Sequence, residues 1–113
     1  MSKAKQAFDR LRVADLEAMS QFATGGIVSK RVAQTPTGRY ILFCMDAGQE
    51  LTEHTASVPA GILVLKGKAR IKLGRRWHDA KPGTFIHMPA ELIHAVKAQE
   101  PLVFFLVMFK GAE

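Results

Sequence analysis

The sequence predicts a small all-β domain, a barrel or a sandwich, with a short N-terminal helix. Three observations favour this fold class. Short apolar runs recur at a spacing of roughly 8–12 residues, turn residues separate them, and helical spacing is confined to one stretch near the N terminus. The chain has 113 residues, 48% of them hydrophobic. This length and composition suit one domain with a core of its own.

The helix is predicted within residues 3–22. Apolar residues fall along one side of this stretch at helical spacing, and Ser2 is available as an N-cap; the apolar residues are Phe8, Leu11, Leu16, Met19 and Phe22. After Gly25 and Gly26 the pattern changes to that of strands. We therefore expect an N-terminal helical segment over residues 1–24 and a β-barrel over residues 25–113.

Strands are predicted wherever an apolar or alternating run lies between turn residues. In chain order they cover residues 27–33, 39–45, 52–56, 62–65, 68–73, 84–88, 94–98 and 102–110. A hairpin tip is predicted at Gly74 and Arg75.

Two of these strands, residues 62–65 and 102–109, are apolar on both faces. Something must therefore cover their outer face. The N-terminal helix and a second copy of the barrel are the candidates, and a partner of different sequence is a further alternative. Since one helix covers only part of a sheet, we favour a symmetric homodimer.

The positive charge of the chain is concentrated around one strand. The cations there equal the formal net charge of +6; they are Lys66, Lys68, Arg70, Lys72, Arg75 and Arg76. Four of them alternate with apolar residues and so share one strand face, which is typical of a solvated face or a protected sheet edge. No aromatic residue interleaves with them as a base-stacking platform requires. We expect no nucleic-acid partner, with a regulatory contact through this face as an alternative.

Cellular location is predicted from what the sequence lacks. No apolar run approaches the roughly 20 residues of a membrane helix, and the N terminus has no apolar signal core. The single cysteine, Cys44, excludes an intrachain disulfide and suits a reducing compartment. We expect a cytoplasmic protein with no membrane contact.

Two segments that begin with glycine carry the candidate chemistry. Their characteristic residues are Gly48, His54 and Gly67 in the first segment and Gly83, Pro89 and His94 in the second. This pattern resembles the two motifs of the cupin superfamily, and the resemblance extends over about residues 40–110. More narrowly, the sequences around His54 and His94 are similar to small stand-alone cupins of unassigned activity. The resemblance implies a double-stranded β-helix (a jelly-roll barrel), frequently dimeric, with its site in the barrel mouth.

The resemblance also implies an incomplete set of metal ligands. Metal-binding cupins use two histidines and a glutamate from the first motif and one histidine from the second. Here His54 and His94 stand at two of these positions, and Ala56 and Ala60 stand at the other two. Transition metals in proteins ordinarily take three or four protein ligands. His87 is a further candidate for the site, although strand alternation does not say which face of its strand lines the barrel.

Two classes of function stay open. The favoured one is a binding module that holds a small polar or carboxylate ligand against His54 and His94, with His87 as a further contact. The alternative is a metal-dependent cupin enzyme of the dioxygenase, isomerase or decarboxylase type. It would hold Fe, Mn, Ni or Zn on His54 and His94 with a reduced ligand set. A third interpretation makes both histidines hydrogen-bonded structural residues, and the fold alone does not choose among these interpretations.

Overall fold

A computed structural model describes residues 11–110, which form one short helix followed by nine strands. The helix, α1, spans Leu16–Met19. The strands are β1 (Ile27–Thr35), β2 (Gly38–Met45), β3 (Glu50–His54), β4 (Ala60–Lys66), β5 (Ala69–Leu73), β6 (Arg76–Ala80), β7 (Phe85–Met88), β8 (His94–Ala98) and β9 (Leu102–Phe109). The predicted all-β class with a short N-terminal helix is confirmed.

The strands form two antiparallel sheets. The five-stranded sheet has the order β1-β2-β9-β4-β7, and the four-stranded sheet has the order β3-β8-β5-β6. Strands far apart in sequence are therefore neighbours, as β9 is between β2 and β4. This arrangement is the predicted double-stranded β-helix, and it brings β3 of the first glycine-led segment beside β8 of the second.

The core lies between the two sheets and follows strand alternation. On β5, Ala69 and Ile71 are fully buried, whereas Arg70 and Lys72 point to the opposite face. Large side chains from both sheets fill the interior; they include Met45, Ile62, Leu102 and Phe104 from one sheet and Ile71 and Val96 from the other. Each such side chain stabilises the fold by about 1.5–3 kcal/mol through burial.

The N-terminal segment covers part of the outer face of the five-stranded sheet. Its apolar residues pack on that face in a second cluster, which contains Ala14, Leu16, Met19, Val32, Leu42, Cys44 and Val103. The carboxylate of Asp15 caps α1 by accepting the backbone N–H of Ala18 at 3.1 Å. Part of the outer face that the sequence left uncovered is therefore covered from within the chain.

Within the described part of the predicted stretch, the helix is shorter than predicted. Of the residues 3–22, those from 3 to 10 lie outside the described residues, and the described part is helical only over Leu16–Met19. Leu11 and Val13 are 91% and 85% exposed, so they have no apolar surface to pack on that would extend the helix. At the other end, the hydroxyl of Ser20 donates to the carbonyl of Leu16, and Ser20 itself is extended.

Strand β6 was not predicted. Its sequence, Arg76–Ala80, carries no apolar run, and tertiary pairing rather than periodicity specifies it. The predicted tip at Gly74 and Arg75 is confirmed as a turn, with Gly74 at φ 64°, and it returns the chain antiparallel to β5. Strand β3 also begins and ends two residues earlier than predicted, at Glu50 and His54.

The cationic face of β5 has carboxylates beside it. Arg70 pairs with Asp79 of β6 at 3.4 Å, and Lys72 pairs with Glu53 of β3. Since β3, β8, β5 and β6 are adjacent in one sheet, these carboxylates stand on the same outer face. Two of the six cations that the sequence groups here, Arg70 and Lys72, therefore have a carboxylate partner. No helix in the described part of the chain has the length and apolar character needed to cross a membrane.

Candidate functional site

The two motif histidines lie side by side between the sheets. His54 ends β3 and His94 begins β8, and they are direct partners in the antiparallel pair. A register irregularity between Leu51 and His54 precedes this contact. The ring centroids are 4.1 Å apart, with an interplanar angle of 61°. His54 is exposed and His94 is only 7% exposed, so the pair extends from the mouth into the barrel.

Backbone hydrogen bonds fix the orientation of both rings. Nδ1 of His54 lies 2.6 Å from the carbonyl of Thr52, and Nδ1 of His94 lies 2.9 Å from the carbonyl of Leu92. Because a carbonyl oxygen only accepts, each Nδ1 must carry the hydrogen. In the neutral ring, Nε2 then carries the lone pair and is the nitrogen available to a ligand.

The histidines line a small and otherwise apolar cavity. Its volume is about 50 Å³, enough for roughly one or two waters. The other lining residues are Phe43, Leu51, Ile62, Met88, Val96, Phe104 and Leu106. Both histidines belong to the four-stranded sheet, whereas most of the apolar lining comes from the five-stranded sheet. The cavity therefore has one polar wall and one apolar wall.

The cavity disfavours a proton on His94. Burial lowers the pKa of His94 below 6.5; the hydrogen bond to Leu92 opposes this effect, and repulsion from His54 adds to it. No carboxylate is among the lining residues that the structure describes. Positive charge on the pair therefore has no counter-charge from within the cavity.

The other two histidines do not join the pair. His87 was a candidate for the site, but Ile86 and Met88 are the buried residues of β7, so His87 points to the outer face and does not line the cavity. This placement corrects the prediction. Successive side chains of a strand point to opposite faces, and because Met88 packs in the core, its neighbour His87 points outward. His78 is exposed on β6 and is likewise absent from the cavity.

The residues present do not fit a metal held by the protein alone. His54 and His94 supply two nitrogen donors, and Ala56 and Ala60 have none to add. Within residues 11–110, no group of three or more His, Cys, Asp or Glu side chains is placed to hold a metal ion. A tetrahedral site needs four donors, of which catalytic sites draw three from the protein.

Sequence reasoning missed the apolar wall of the cavity. Phe43 and Phe104 stack in parallel with centroids 4.9 Å apart, and Leu106 lies beside them in the lining. These residues stand in continuous apolar runs, residues 41–45 and 102–109, where alternation gives no sign of which side chains point inward. Predicting this wall would have required the pairing of β2 with β9, which places Phe43 opposite Phe104.

Comparison with known proteins identifies the family. A protein-family model described as a cupin domain matches residues 41–108, which is more than half of the chain. This chain belongs to the cupin family. No curated protein matches it.

Solved structures of similar fold align with most of the chain. One is a conserved protein of unknown function from Streptococcus pyogenes, with 26% identity, a TM-score of 0.81, and coverage of 95% of this chain and 94% of that one. A cupin superfamily protein from Desulfitobacterium hafniense is 20% identical, with a TM-score of 0.81 and coverage of 93% and 96%. An RmlC-like cupin from Shewanella frigidimarina is 13% identical, with a TM-score of 0.73 and coverage of 79% and 80%. The last two likenesses concern the fold alone.

Proposed function

We propose that this cupin binds a small carboxylate ligand in the barrel cavity, with the ligand oxygens against Nε2 of His54 and of His94. The observation that carries the proposal is the fixed orientation of the two rings. Both Nδ1 hydrogens are taken up by backbone carbonyls, and the two rings line one cavity with no lining carboxylate among the described residues.

The charge balance of the cavity favours an anion. A proton on Nε2 turns that atom from an acceptor into a donor, and an imidazolium next to a carboxylate forms a strong hydrogen bond. In the free protein, burial and the neighbouring ring lower the pKa of His94. A bound carboxylate supplies the missing negative charge, so binding is coupled to proton uptake. Affinity is therefore expected to rise as the pH falls, until the carboxylate itself is protonated near pH 4.

The size of the cavity limits the ligand. About 50 Å³ is far below the roughly 300–1,000 Å³ of sites for drug-sized molecules. A carboxylate head with one or two carbons fits inside, and a longer ligand must extend past His54 through the mouth. Binding of so few atoms is weak, with an expected Kd in the millimolar range.

The orientation of the rings also favours a second candidate. Metal-bound histidines commonly donate their other ring N–H to a carbonyl or a carboxylate, as His54 and His94 donate to Thr52 and Leu92. A divalent Fe, Mn, Ni or Zn ion on these two nitrogens needs the rest of its ligands from a small molecule. This is the metal-dependent alternative, and a metal titration of the same sample separates it from the first.

The test is a titration of the protein with sodium acetate, followed through the histidine ring signals by NMR. Acetate should shift the His54 and His94 signals with saturation and raise the pKa of His94, whereas acetamide, which has the same shape without charge, should do neither. The exposed His78 and His87 are internal controls whose signals should stay in place. Equal responses to acetate and acetamide, or none, would overturn the proposal.

The metal alternative is tested on the same sample by calorimetric titration with Zn²⁺ or Ni²⁺. Stoichiometric metal binding that is lost in the His54→Ala/His94→Ala variant and kept in His78→Ala/His87→Ala would favour the metal-dependent class. Acetate binding that is unchanged by added metal or chelator would favour the simple binding module.

A further inference from the structure

The outer face of the four-stranded sheet places two cations directly opposite each other. Arg70 of β5 and Lys97 of β8 are register partners. Each stands between two residues that are buried on the inner face of its strand, so both side chains point outward. Like charges in directly opposed positions destabilise a pair of strands. The two side chains therefore repel each other unless a negative charge lies close to both.

The carboxylates on this face neutralise the pair only in part. Asp79 lies 3.4 Å from Nε of Arg70, and its side chain is 88% exposed, so this ion pair is weak. Asp79 also stands on β6, on the far side of β5 from Lys97. Lys97 is in no ion pair among residues 11–110, although Glu50 is its register partner on β3. The side of Arg70 that faces Lys97 therefore has no counter-charge from the described residues.

A shallow pocket with a flat apolar wall lies over this pair. Its volume is about 350 Å³, and it is lined by Arg70, Trp77, Lys97 and Gln99. We use the name cationic pocket for these residues. Nζ of Lys97 lies 4.7 Å from the centre of the Trp77 ring, which is a cation–π contact. The ammonium of Lys97 thus contacts an indole and not a carboxylate.

The aromatic residue of the pocket comes from a neighbouring strand. On β5 itself no aromatic residue stands between the cations, but Trp77 of β6 is the register partner of Lys72. Lys72 is two residues beyond Arg70 and shares its face. Strand pairing therefore adds the flat ring that the sequence of β5 lacks. Two cations next to an indole provide the two kinds of contact that recognise a phosphate joined to a ring.

We propose that the cationic pocket binds a small phosphate monoester that carries a flat ring, the chemical class of the nucleoside monophosphates. The phosphate lies between the guanidinium of Arg70 and the ammonium of Lys97, and the ring contacts Trp77. Because a guanidinium has several N–H donors in a planar fork, the terminal nitrogens of Arg70 donate to the phosphate while Nε keeps Asp79. This site is separate from the histidine cavity, which lies between the sheets.

Binding exchanges one partner of Lys97 for another. Its ammonium, on a long flexible stem, leaves the indole for the phosphate, and this opens the face of the indole to the ring of the ligand. The phosphate also relieves the repulsion between Arg70 and Lys97. A volume of about 350 Å³ is large enough for a ring beside the phosphate. Since the pocket is open and salt screens its charges, we expect a Kd in the millimolar range at about 0.15 M salt.

A small ligand fits this face better than a nucleic-acid chain. Asp79, Arg70, Lys97 and Glu50 are successive register partners across β6, β5, β8 and β3, so a carboxylate flanks the two cations on each side. One phosphate between the cations is attracted, whereas the neighbouring phosphates of a chain meet the flanking carboxylates. Tight binding of a chain requires several phosphate contacts, which this row of charges opposes.

The test is a titration with adenosine monophosphate, followed through the indole N–H signal by NMR. The chain has one tryptophan, so this signal reports Trp77 without further assignment. It should shift with saturation at millimolar ligand. Adenosine and inorganic phosphate, which lack the phosphate and the ring respectively, should each bind about tenfold more weakly. No shift with the monophosphate, or equal affinity for it and for either of the two fragments, would overturn the proposal.

Substitutions locate the phosphate. Arg70→Gln and Lys97→Gln should each weaken binding of the monophosphate by about tenfold. Both variants remove one member of a like-charge pair, so neither should unfold the protein. Arg39→Gln and Lys30→Gln are the matched controls, because they remove the same charges from β2 and β1 of the other sheet, and they should leave the affinity unchanged. Equal losses in pocket and control variants would mean that only net charge matters, and the proposed site would be wrong.

Two further measurements separate this site from the alternatives. His54→Ala/His94→Ala should bind the monophosphate as the wild type does; a loss of binding there would place the ligand in the histidine cavity and contradict the proposal. A single-stranded oligonucleotide of about ten adenosines should bind no more than about tenfold tighter than the monophosphate. A larger gain would make a nucleic-acid chain the occupant.

Discussion

The Cα of Gly67 lies so close to Pro101 that a Cβ on Gly67 would stand 2.1 Å from the Pro101 carbonyl oxygen. Gly67 also has φ of +84°, where side chains are disfavoured. This glycine joins β4 to β5 beside the start of β9. Its presence at the end of the first glycine-led segment has a packing reason, and no chemistry is needed to explain it.

The first prediction compares two motif glycines. Gly67→Ala should cost several kcal/mol or prevent folding, because the clash is with backbone that cannot move aside. Gly48→Ala places a side chain at a similar φ of +82° with nothing within 4 Å, so only strain of about 1–2 kcal/mol is expected. Urea denaturation measures the free energy of unfolding of both variants. Equal losses of stability would contradict the packing argument.

The second prediction concerns the stability of the ligand-free protein against pH. The folded state lowers the pKa of His94 below 6.5, so the unfolded chain takes up a proton there first as the pH falls. The free energy of unfolding should therefore decrease as the pH falls below 6.5, and this contribution should level off once the folded His94 is also protonated. In His94→Asn the decrease should be shallower. Urea titrations between about pH 7.5 and 5 measure this slope.

The third prediction rebuilds the missing metal ligands. In Ala56→His/Ala60→Glu the cupin set of three histidines and one glutamate is restored, and affinity for Ni²⁺ or Zn²⁺ should rise at least a hundredfold over the wild type. Ala60 is 3% exposed, so the new carboxylate should lower the Tm in the absence of metal, and metal should restore it.

The control for this rebuilding is Ala98→Glu, which places a carboxylate at another position that is 3% exposed. Its Tm should fall by a comparable amount, because it too buries a charge. Rescue of Ala98→Glu by metal would mean that the ion acts without the rebuilt site.

The fourth prediction concerns nucleic acid. Arg70 and Lys72 have carboxylate partners on the same sheet face, so these two cations should add little to DNA retention at about 0.15 M salt. Glu53→Gln/Asp79→Asn removes those partners and should increase retention at low salt. If the wild type binds DNA as tightly as this variant, the two carboxylates do not weaken DNA binding and the prediction is wrong.

The sequence predicts those strands and turns that a local pattern of apolar and turn residues specifies. Strands with apolar residues between turns, such as β2 and β8, were found within a residue of their ends. β6 was missed because Arg76–Ala80 is specified by pairing with β5. Over the described residues 11–22 the helix was predicted too long, because spacing indicates an amphipathic pattern and not whether a surface exists for it to pack on.

The residues of the site were predictable only where a local sequence motif marks them. The motif spacing selected His54 and His94, and the structure brings their rings together. It does not bring His87 to them, since the choice between the two faces of β7 depends on which side packs in the core. The apolar wall contributed by Phe43 and Phe104 depends on strand pairing over a long sequence separation, which composition and periodicity do not contain.

The histidines of the cavity and most of its apolar lining come from different sheets. The imidazoles and the carbonyls that orient them belong to β3, β8 and the turn before β8, whereas Phe43 and Leu106 stand on strands of the opposite sheet. Replacing Phe43 or Leu106 with smaller residues would enlarge the chamber without touching the ring orientation. Under the proposed function, acids of different length would then be accommodated by changes in one sheet while the pair of imidazoles in the other is kept.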